Sequence, residues 1–336
     1  MRRSLLAGIL LLTACGGPAP GAPVEQLTIP PGSSLQAVAD TLVAHGIIAH
    51  PTWFRWLARM RRSDRRLQAG IYEFPRGERS WDVIDALVVG RGKLVRFTLP
   101  EGLTVREAAA VAERELAIPA DSFLAAARDT TVVHGAGLDA PSLEGFLHPE
   151  TYLVPPTVTA SDLVGILARA AAATWTPARD ARLDSLGMTR LEAVTLASIV
   201  EGEARAEDER AVIAGVYHNR LKLGMALQAD PTVAYGIELK TGVRKSRLYQ
   251  RDYQFPSPYN TYLHPGLPPG PINSPGAASL EAVLYPATVP YLFFVAGPDG
   301  RHVFSRTYRD HLRAIRGLRS PAATIKSQKP PVRTED

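Results

Sequence analysis

The sequence predicts an α+β fold: a small strand–helix–helix–strand part over 26–92, followed by a mixed α/β domain over 93–318. Three observations predict it. A strand, a Pro/Gly turn and an amphipathic helix occur twice at an offset of 70 residues, as LTIPPGSSLQAVADTLVAHGII from Leu27 and FTLPEGLTVREAAAVAERELAI from Phe97. Apolar residues recur at helical spacing in three stretches between Ala160 and Leu223. Pro298-Asp299-Gly300 separates two short β-rich runs, a hairpin signal. With 46% hydrophobic and 21% charged residues, the chain buries a sizeable core, which excludes wholesale disorder and collagen-like order. At roughly 150 residues per domain, 336 residues suggest two domains.

The first element is not part of the fold. Arg2 and Arg3 precede an apolar run from Leu5 to Leu12, the n-region and h-region of a secretory signal over 1–14. The run is too short to span a bilayer, which needs about 20 apolar residues. Leu12-Thr13-Ala14-Cys15 reads as a lipobox, so cleavage before Cys15 and lipid attachment to its thiol are expected. An ordinary signal with an incidental cysteine is the plainer alternative. Cys15 is the only cysteine, which excludes an intrachain disulfide and a Cys-based metal site. The Gly/Pro/Ala-rich stretch 15–25 is a flexible tether.

In the first repeat copy, Leu35, Val38, Ala39 and Leu42 recur at helical spacing. His50-Pro51 opens a second helix that turns Phe54, Leu57 and Ala58 inward, and Gly70 to Phe74 is a returning strand. This order resembles a LysM module, a small glycan-binding fold; a generic α+β unit without a ligand fits the pattern equally well. Ser80 is the expected cap of a helix through Val89 that buries Trp81, Ile84, Leu87 and Val88. Lys93 to Leu99 reads as a strand. Helices follow over Val105 to Leu116 and Ala120 to Arg128, then a loop from Thr130 to Leu143.

Further on, helices are expected over Ala160 to Trp175, Leu191 to Ala204 and Asp208 to Leu223, the last closed by Gly224. Asp230-Pro231 suits the start of a short helix ending at Gly236. A long loop runs from Thr241 to Asn273. Ser274-Pro275 caps a helix over Ala277 to Leu284, and strands at Tyr291 to Ala296 and His302 to Arg306 flank the hairpin turn. A helix over Tyr308 to Arg316 precedes a polar tail, 319–336, expected to be disordered.

The sequence has no Walker loop, GxGxxG, GxSxG or HExxH. Its histidines are scattered, so neither a metal nor another cofactor is expected. A formal net charge of +5 permits contact with acidic polymers without marking a nucleic-acid binder. The densest polar segment begins at Ala197. Glu201 ends the apolar stretch Ala197-Ser198-Ile199-Val200, where desolvation would favour a protonated carboxyl suited to general acid catalysis on a glycosidic oxygen. The bland alternative is a solvated turn in which Glu201 meets Arg205 at i+4. Glu203 lies about 200° around a helix from Glu201, so the two cannot share a face. A second segment from Ser257 offers Tyr259, Asn260, Tyr262 and His264 among prolines: sugar-binding chemistry on a rigid loop, or a structural cover.

Several long motifs occur in one order: EGFLHPETY at Glu144 to Tyr152, ASIVEGEA at Ala197 to Ala204, Glu209-Arg210, GVYHNRLKLGMALQADPTVAYG at Gly215 to Gly236, and SPYNTYLHPGLPPGPINSPG at Ser257 to Gly276. With YLFFVAGPDGRHVFSRTYRDH from Tyr291, they resemble the endolytic murein transglycosylase family (MltG or YceG-like) over about Leu27 to Arg316. The resemblance implies cleavage within peptidoglycan glycan strands between N-acetylmuramic acid and N-acetylglucosamine, without water, leaving 1,6-anhydro-muramyl ends and terminating strand elongation. It places the catalytic glutamate on Glu201. It implies substrate contacts at Glu203, Asn219, Gln228, Asp230, Thr232, Tyr235, Tyr259, Asn260 and Thr261.

It further implies that 26–92 contacts glycan, that 93–318 is the catalytic domain and that peptidoglycan synthases are partners. No nucleic acid and no cofactor is implied. This chain departs from the family pattern at Gly202, where lysine is frequent, and at His148, where phenylalanine is frequent. A lipobox replaces the usual membrane-spanning helix. Family likeness points to the inner membrane facing the periplasm, whereas Gly16 after Cys15 leaves the outer membrane open. A non-catalytic peptidoglycan-binding lipoprotein and a hydrolytic muramidase, with Glu203 or Asp230 as base, are the competing readings.

Overall fold

A computed structural model describes residues 17–90, 92–135 and 142–318. The expected signal peptide, Cys15 with its expected lipidation, and the tail 319–336 lie outside the described residues. The chain divides into two compact units, Met1–Phe97 with Thr151–Thr159, and Thr98–Glu150 with Ala160–Asp336.

In the first unit, β1 (Val24–Ile29) pairs antiparallel with β2 (Gly70–Pro75), in register from Val24 opposite Pro75 to Ile29 opposite Gly70. Period-two alternation turns Leu27, Ile29, Tyr72 and Phe74 inward. Between the strands lie α1 (Leu35–Ala44) and α2 (Pro51–Met60). The Ser34 hydroxyl caps α1 by accepting from Ala37 N–H at 3.1 Å, and Pro51 occupies the first turn of α2, where its missing N–H costs nothing. The core joins Val38, Leu42, Phe54, Leu57 and Tyr72 to Val83, Ile84 and Leu87 of α3 (Ser80–Val89). β3 (Val95–Thr98) pairs with β4 (Thr151–Val154), so a short stretch from within the expected 93–318 domain belongs to this unit. Two expectations are corrected by the geometry of α3. Arg79, not Ser80, is its N-cap and makes no side-chain cap bond; Trp81 is 50% exposed because α3 turns Val83, Ile84 and Leu87 inward instead.

The second unit opens with α4 (Val105–Leu116), α5 (Ala120–Arg128) and α6 (Thr130–Gly135). A short helix thus stands at the start of the expected loop. Then come α7 (Ala160–Ala173), α8 (Pro177–Leu186) and α9 (Arg190–Glu203), a 3-10 turn at Glu207–Glu209, α10 (Arg210–Lys222) and α11 (Asp230–Thr241). The loop after α11 holds a second 3-10 turn, Gln250–Gln254, and leads to α12 (Ala277–Leu284). β5 (Phe293–Ala296) and β6 (His302–Ser305) form the expected antiparallel hairpin, and α13 (Tyr308–Leu318) follows.

Helix α9 is the axis of this unit. Every residue from Ala193 to Val200 is buried, Thr195 and Ser198 among them, so α9 is enclosed on all sides, with α10, α11 and α12 packed against it. Thr189 and Glu192 close its start as a capping box, as Thr104 and Glu107 do for α4. Helix α11 does not stop at Gly236. It continues to Thr241, because Gly236 serves close packing: a Cβ there would press on the Ser257 side chain at 2.6–2.8 Å. Ala229 rather than Asp230 is its N-cap, which leaves the Asp230 side chain free for other partners.

Candidate functional site

The burial of α9 ends one turn before its C-terminus, and Glu201 emerges there beside α10 and the N-terminus of α12. Glu201 Oε2 accepts the Ser279 hydroxyl at 2.6 Å and the Gly276 N–H at 3.1 Å. Oε1 lies 3.6 Å from an Arg210 guanidinium nitrogen. Arg210 Nε donates to Ser279 Oγ at 3.1 Å, which closes a triangle of mutual contacts. Ser279 is fully buried, and the Glu201 and Arg210 side chains are only 10% and 14% exposed. Gly276 is the N-cap of α12, so Glu201 also faces the positive end of that helix. Glu201 thus ends an apolar stretch, as read from the sequence, and three donors address its carboxyl. Arg205 is not its partner, because α9 ends at Glu203 and Arg205 leaves the helical face.

A second carboxylate, absent from the expected site residues, stands at the same place. Pro100-Glu101-Gly102 is the turn of the second repeat copy, with Gly102 at φ +75°, as Gly32 at φ +74° is in the first. Gly102 N–H donates to Ser274 O and Ser274 N–H to Leu103 O, both at 2.8 Å, so the turn is fixed to the residues before α12. Glu101 is exposed overall, but its carboxyl is turned in against Gly276, where any Cβ would collide with it. Burial of the carboxyl, then the neighbouring Glu201 charge, pushes Glu101 above the usual carboxylate range, while Arg210 opposes the rise. One sequence signal marks it: Glu101 replaces the Pro31 of the first copy.

Glu203 points elsewhere, as the helical angle requires. It accepts the Tyr217 hydroxyl at 3.2 Å and lines a cleft of about 630 Å³ with Gln228, Asp230, Tyr253 and Tyr262. Burial, then the Asp230 charge, pushes its carboxyl up to about 7. Asp230 accepts the Tyr262 hydroxyl at 2.6 Å and the Tyr253 hydroxyl at 3.2 Å, and the two rings lie 4.7 Å apart. Gln228 is exposed, with φ +50°, a left-handed conformation uncommon for a residue with a Cβ.

The other residues expected to touch substrate make contacts within the protein. Asn260 is fully buried; its amide donates to Tyr253 O and Phe255 O and accepts from Tyr262 N–H, each at 3.0 Å. Thr261 Oγ1 accepts from Ala229 N–H at 3.0 Å and lies 2.9 Å from Thr232 Oγ1, with both threonines buried. Asn219 donates to Val289 O at 2.7 Å and Tyr291 O at 3.1 Å. Tyr235 is buried against Tyr259, edge to face at 4.9 Å, and donates to Glu144 at 3.1 Å. Glu144 also accepts from Val105 N–H at the start of α4, and burial pushes it up to about 7. The Asn260 amide, the Thr232 and Thr261 hydroxyls, the Asn219 Nδ2 and the Tyr235 hydroxyl thus all have partners within the protein. Among the described residues, no cluster of His, Cys, Asp and Glu could hold a metal ion, and no helix is long and apolar enough to cross a membrane.

The family profile described as YceG-like matches residues 27–317. A Bacillus subtilis protein named endolytic murein transglycosylase is 31% identical over 305 residues, covering 86% of this chain and 83% of its own. A Streptococcus pneumoniae protein of the same name is 28% identical over 315 residues, and the chain spans 57% of its length. Among solved structures, a yceG-like protein from Listeria monocytogenes matches with a TM-score of 0.59 and 29% identity, over 86% of this chain and 98% of that one.

Proposed function

The chain belongs to the YceG-like family, and from that premise we propose that it is a murein lytic transglycosylase in which Glu201 is the acid and base. The observation that carries this reading is the Glu201–Ser279–Arg210 triangle at the N-terminus of α12. Protonated Glu201 gives its proton to the glycosidic oxygen as the C1–O bond breaks. The C6 hydroxyl oxygen of the same muramyl residue then bonds to C1, and its proton passes to the Glu201 carboxylate. The proton count closes, no water is consumed, and the product carries a 1,6-anhydro end. One acid serves both steps, so the two-carboxylate spacing of hydrolytic glycosidases is not needed. Ser279, Gly276 N–H and Arg210 hold the carboxylate in place between the steps. Glu101 holds a proton more readily than a free carboxylate and adds a second acid at the same point.

On this reading the strand–helix–helix–strand unit is LysM-like and contacts glycan, and cleavage ends strand elongation beside peptidoglycan synthases. A lipid on Cys15 holds the enzyme at the envelope membrane. The deciding experiment is mass spectrometry of the ends released from purified glycan strands by wild type and Glu201→Gln: anhydro ends from wild type and none from the variant.

One observation favours a second reading. Glu203 has a carboxyl that titrates near neutrality, opens on the large cleft and stands beside Asp230. That pairing suits activation of water and a hydrolytic muramidase. Free reducing ends that vanish in Glu203→Gln but persist in Glu201→Gln would establish it.

A further inference from the structure

Helix α2 has two faces with different uses. Phe54, Leu57 and Ala58 fill the core of the N-terminal unit. The opposite side presents Trp53, Trp56 and Met60, which are 53%, 48% and 65% exposed. Their i, i+3, i+7 spacing sets them in one stripe along the helix. Trp81 of α3 is equally bare, and the Arg61 guanidinium lies 4.0 Å from its ring centre, tying it to the end of α2. Large apolar side chains left together outside a core mark a contact surface.

The same stretch is strongly basic. Residues 51–66 carry six arginines against the single Asp64, a net of +5 that equals the formal charge of the whole chain. Arg61 is paired with Asp85 at 2.7 Å, while Arg59, Arg62, Arg65 and Arg66 are exposed.

We infer that this face of α2 and α3 docks on the headgroup region of an anionic phospholipid bilayer, with Trp53, Trp56, Trp81 and Met60 at the acyl boundary and the arginines on lipid phosphates. Tryptophan sits at membrane interfaces because its ring is apolar and its N–H needs a polar partner. Arginine lays its stem on apolar surface and keeps its guanidinium on phosphate, where it bonds in a bidentate manner. A helix with an aromatic stripe beside a cationic one lies in the plane of such a surface.

A glycan is the weaker fit. The Trp53 and Trp56 rings stack on each other at 4.8 Å with 22° between their planes, and Arg61 covers one face of Trp81. The ring faces on which a sugar would stack are partly occupied, and the apolar rims remain bare. The lipid proposed on Cys15 stands nine residues before β1, a span of at most about 30 Å, so it would keep this face within reach of the bilayer. The docking does not depend on that lipid, because charge and apolar area lie in the unit itself.

The test uses the full chain with vesicles of brominated phosphatidylcholine, with and without phosphatidylglycerol, and reads quenching of tryptophan fluorescence. Trp175, in the other unit, gives the same background in every sample. The expected result is quenching with phosphatidylglycerol that high salt weakens and pure phosphatidylcholine does not give. Arg59→Gln/Arg65→Gln should shift the docked-to-undocked ratio roughly thirtyfold and remove the quenching, with an unchanged circular dichroism spectrum since both residues are exposed. Equal quenching in that variant, or none in anionic vesicles, overturns the inference. So does a Trp53→Ser/Trp56→Ser variant that loses sedimentation with insoluble peptidoglycan while the Trp81 signal still quenches as before, which would make the face a glycan reader.

Discussion

The Ser279 hydroxyl donates to Glu201 Oε2 at 2.6 Å while its oxygen accepts from Arg210 Nε at 3.1 Å. One small buried side chain therefore fixes the position of the carboxyl proposed to carry the chemistry and links it to its only cationic neighbour in the triangle. Ser279→Ala keeps the helix and removes both bonds. Bonds to charged groups are worth about 1.5–3 kcal/mol, so kcat should fall roughly tenfold to a hundredfold. KM should stay near wild type, because Ser279 is buried and does not meet substrate. A rise in KM with kcat unchanged would contradict a positioning role.

Gly276 is small for a steric reason. Its φ of −73° is open to any residue, yet a Cβ would run into the Glu101 carboxylate. Gly276→Ala should turn the Glu101 carboxyl aside, at small cost because it is the far end of a flexible side chain, and lower strand cleavage with it. Glu101→Ala removes the obstructing carboxylate. The double variant should therefore be more stable than the sum of the single effects, a coupling that thermal unfolding of all four proteins would read out. Additive losses would mean that the two residues do not touch.

Glu201→Gln keeps size and two hydrogen-bonding atoms but has no transferable proton. General acid–base catalysis supplies a factor of about 10² to 10⁴, and one carboxyl serving two steps should lose at least that much release of anhydro ends. Glu203→Gln is the informative companion. Its wild-type carboxyl titrates at about 7, so under the second reading the variant would lose the limb of the pH–rate profile near that value. Under the reading preferred here, Glu203→Gln retains anhydro products and leaves the pH–rate profile unchanged.

Much of this fold is legible in the sequence, and the failures have physical causes. Helices α7, α9, α10 and α12 follow from apolar periodicity, because each buries a broad face. Helix α8 is hidden from such a reading, since PARDARLDSL buries only Leu183 and shows no stripe. Gly236 reads as a helix end, but there glycine answers a close approach by Ser257 rather than a need for left-handed backbone. Glu201 is visible as an acid after an apolar run. Its partners are not, because Arg210, Gly276 and Ser279 converge through the packing of α9, α10 and α12, and Glu101 through the fixing of the second repeat turn to the chain before α12.

Asn260 marks the same limit for binding residues. Amides and tyrosines on a proline-rich loop suit sugars by chemistry, and that chemistry is here used inside the loop. Asn260→Ala should leave Tyr253 O, Phe255 O and Tyr262 N–H without their partner and destabilise the protein by about 2–3 kcal/mol. Chemical denaturation should show that loss, and any fall in activity should follow the folded fraction. A fully stable variant with weakened strand binding would return Asn260 to the substrate.

Glu144 gives the last prediction, one of pH. Its carboxyl titrates at about 7 in the folded chain against 4.5 for an ordinary glutamate, with burial as the main cause and the bonds from Val105 N–H and Tyr235 only partly offsetting it. Between those values the native state holds a proton that the unfolded chain has lost. Stability from this group is therefore complete below about pH 4.5 and is lost as pH rises through 7. A pKa raised by one is worth about 1.4 kcal/mol, so the loss is on the order of 3 kcal/mol at most. Glu144→Gln stays neutral, can still accept from Val105 N–H and Tyr235, and should flatten the fall in unfolding free energy between about pH 5 and 8. Urea unfolding of both proteins across that range decides the matter: parallel curves would mean that Glu144 ionises in the folded chain as it does in the unfolded one.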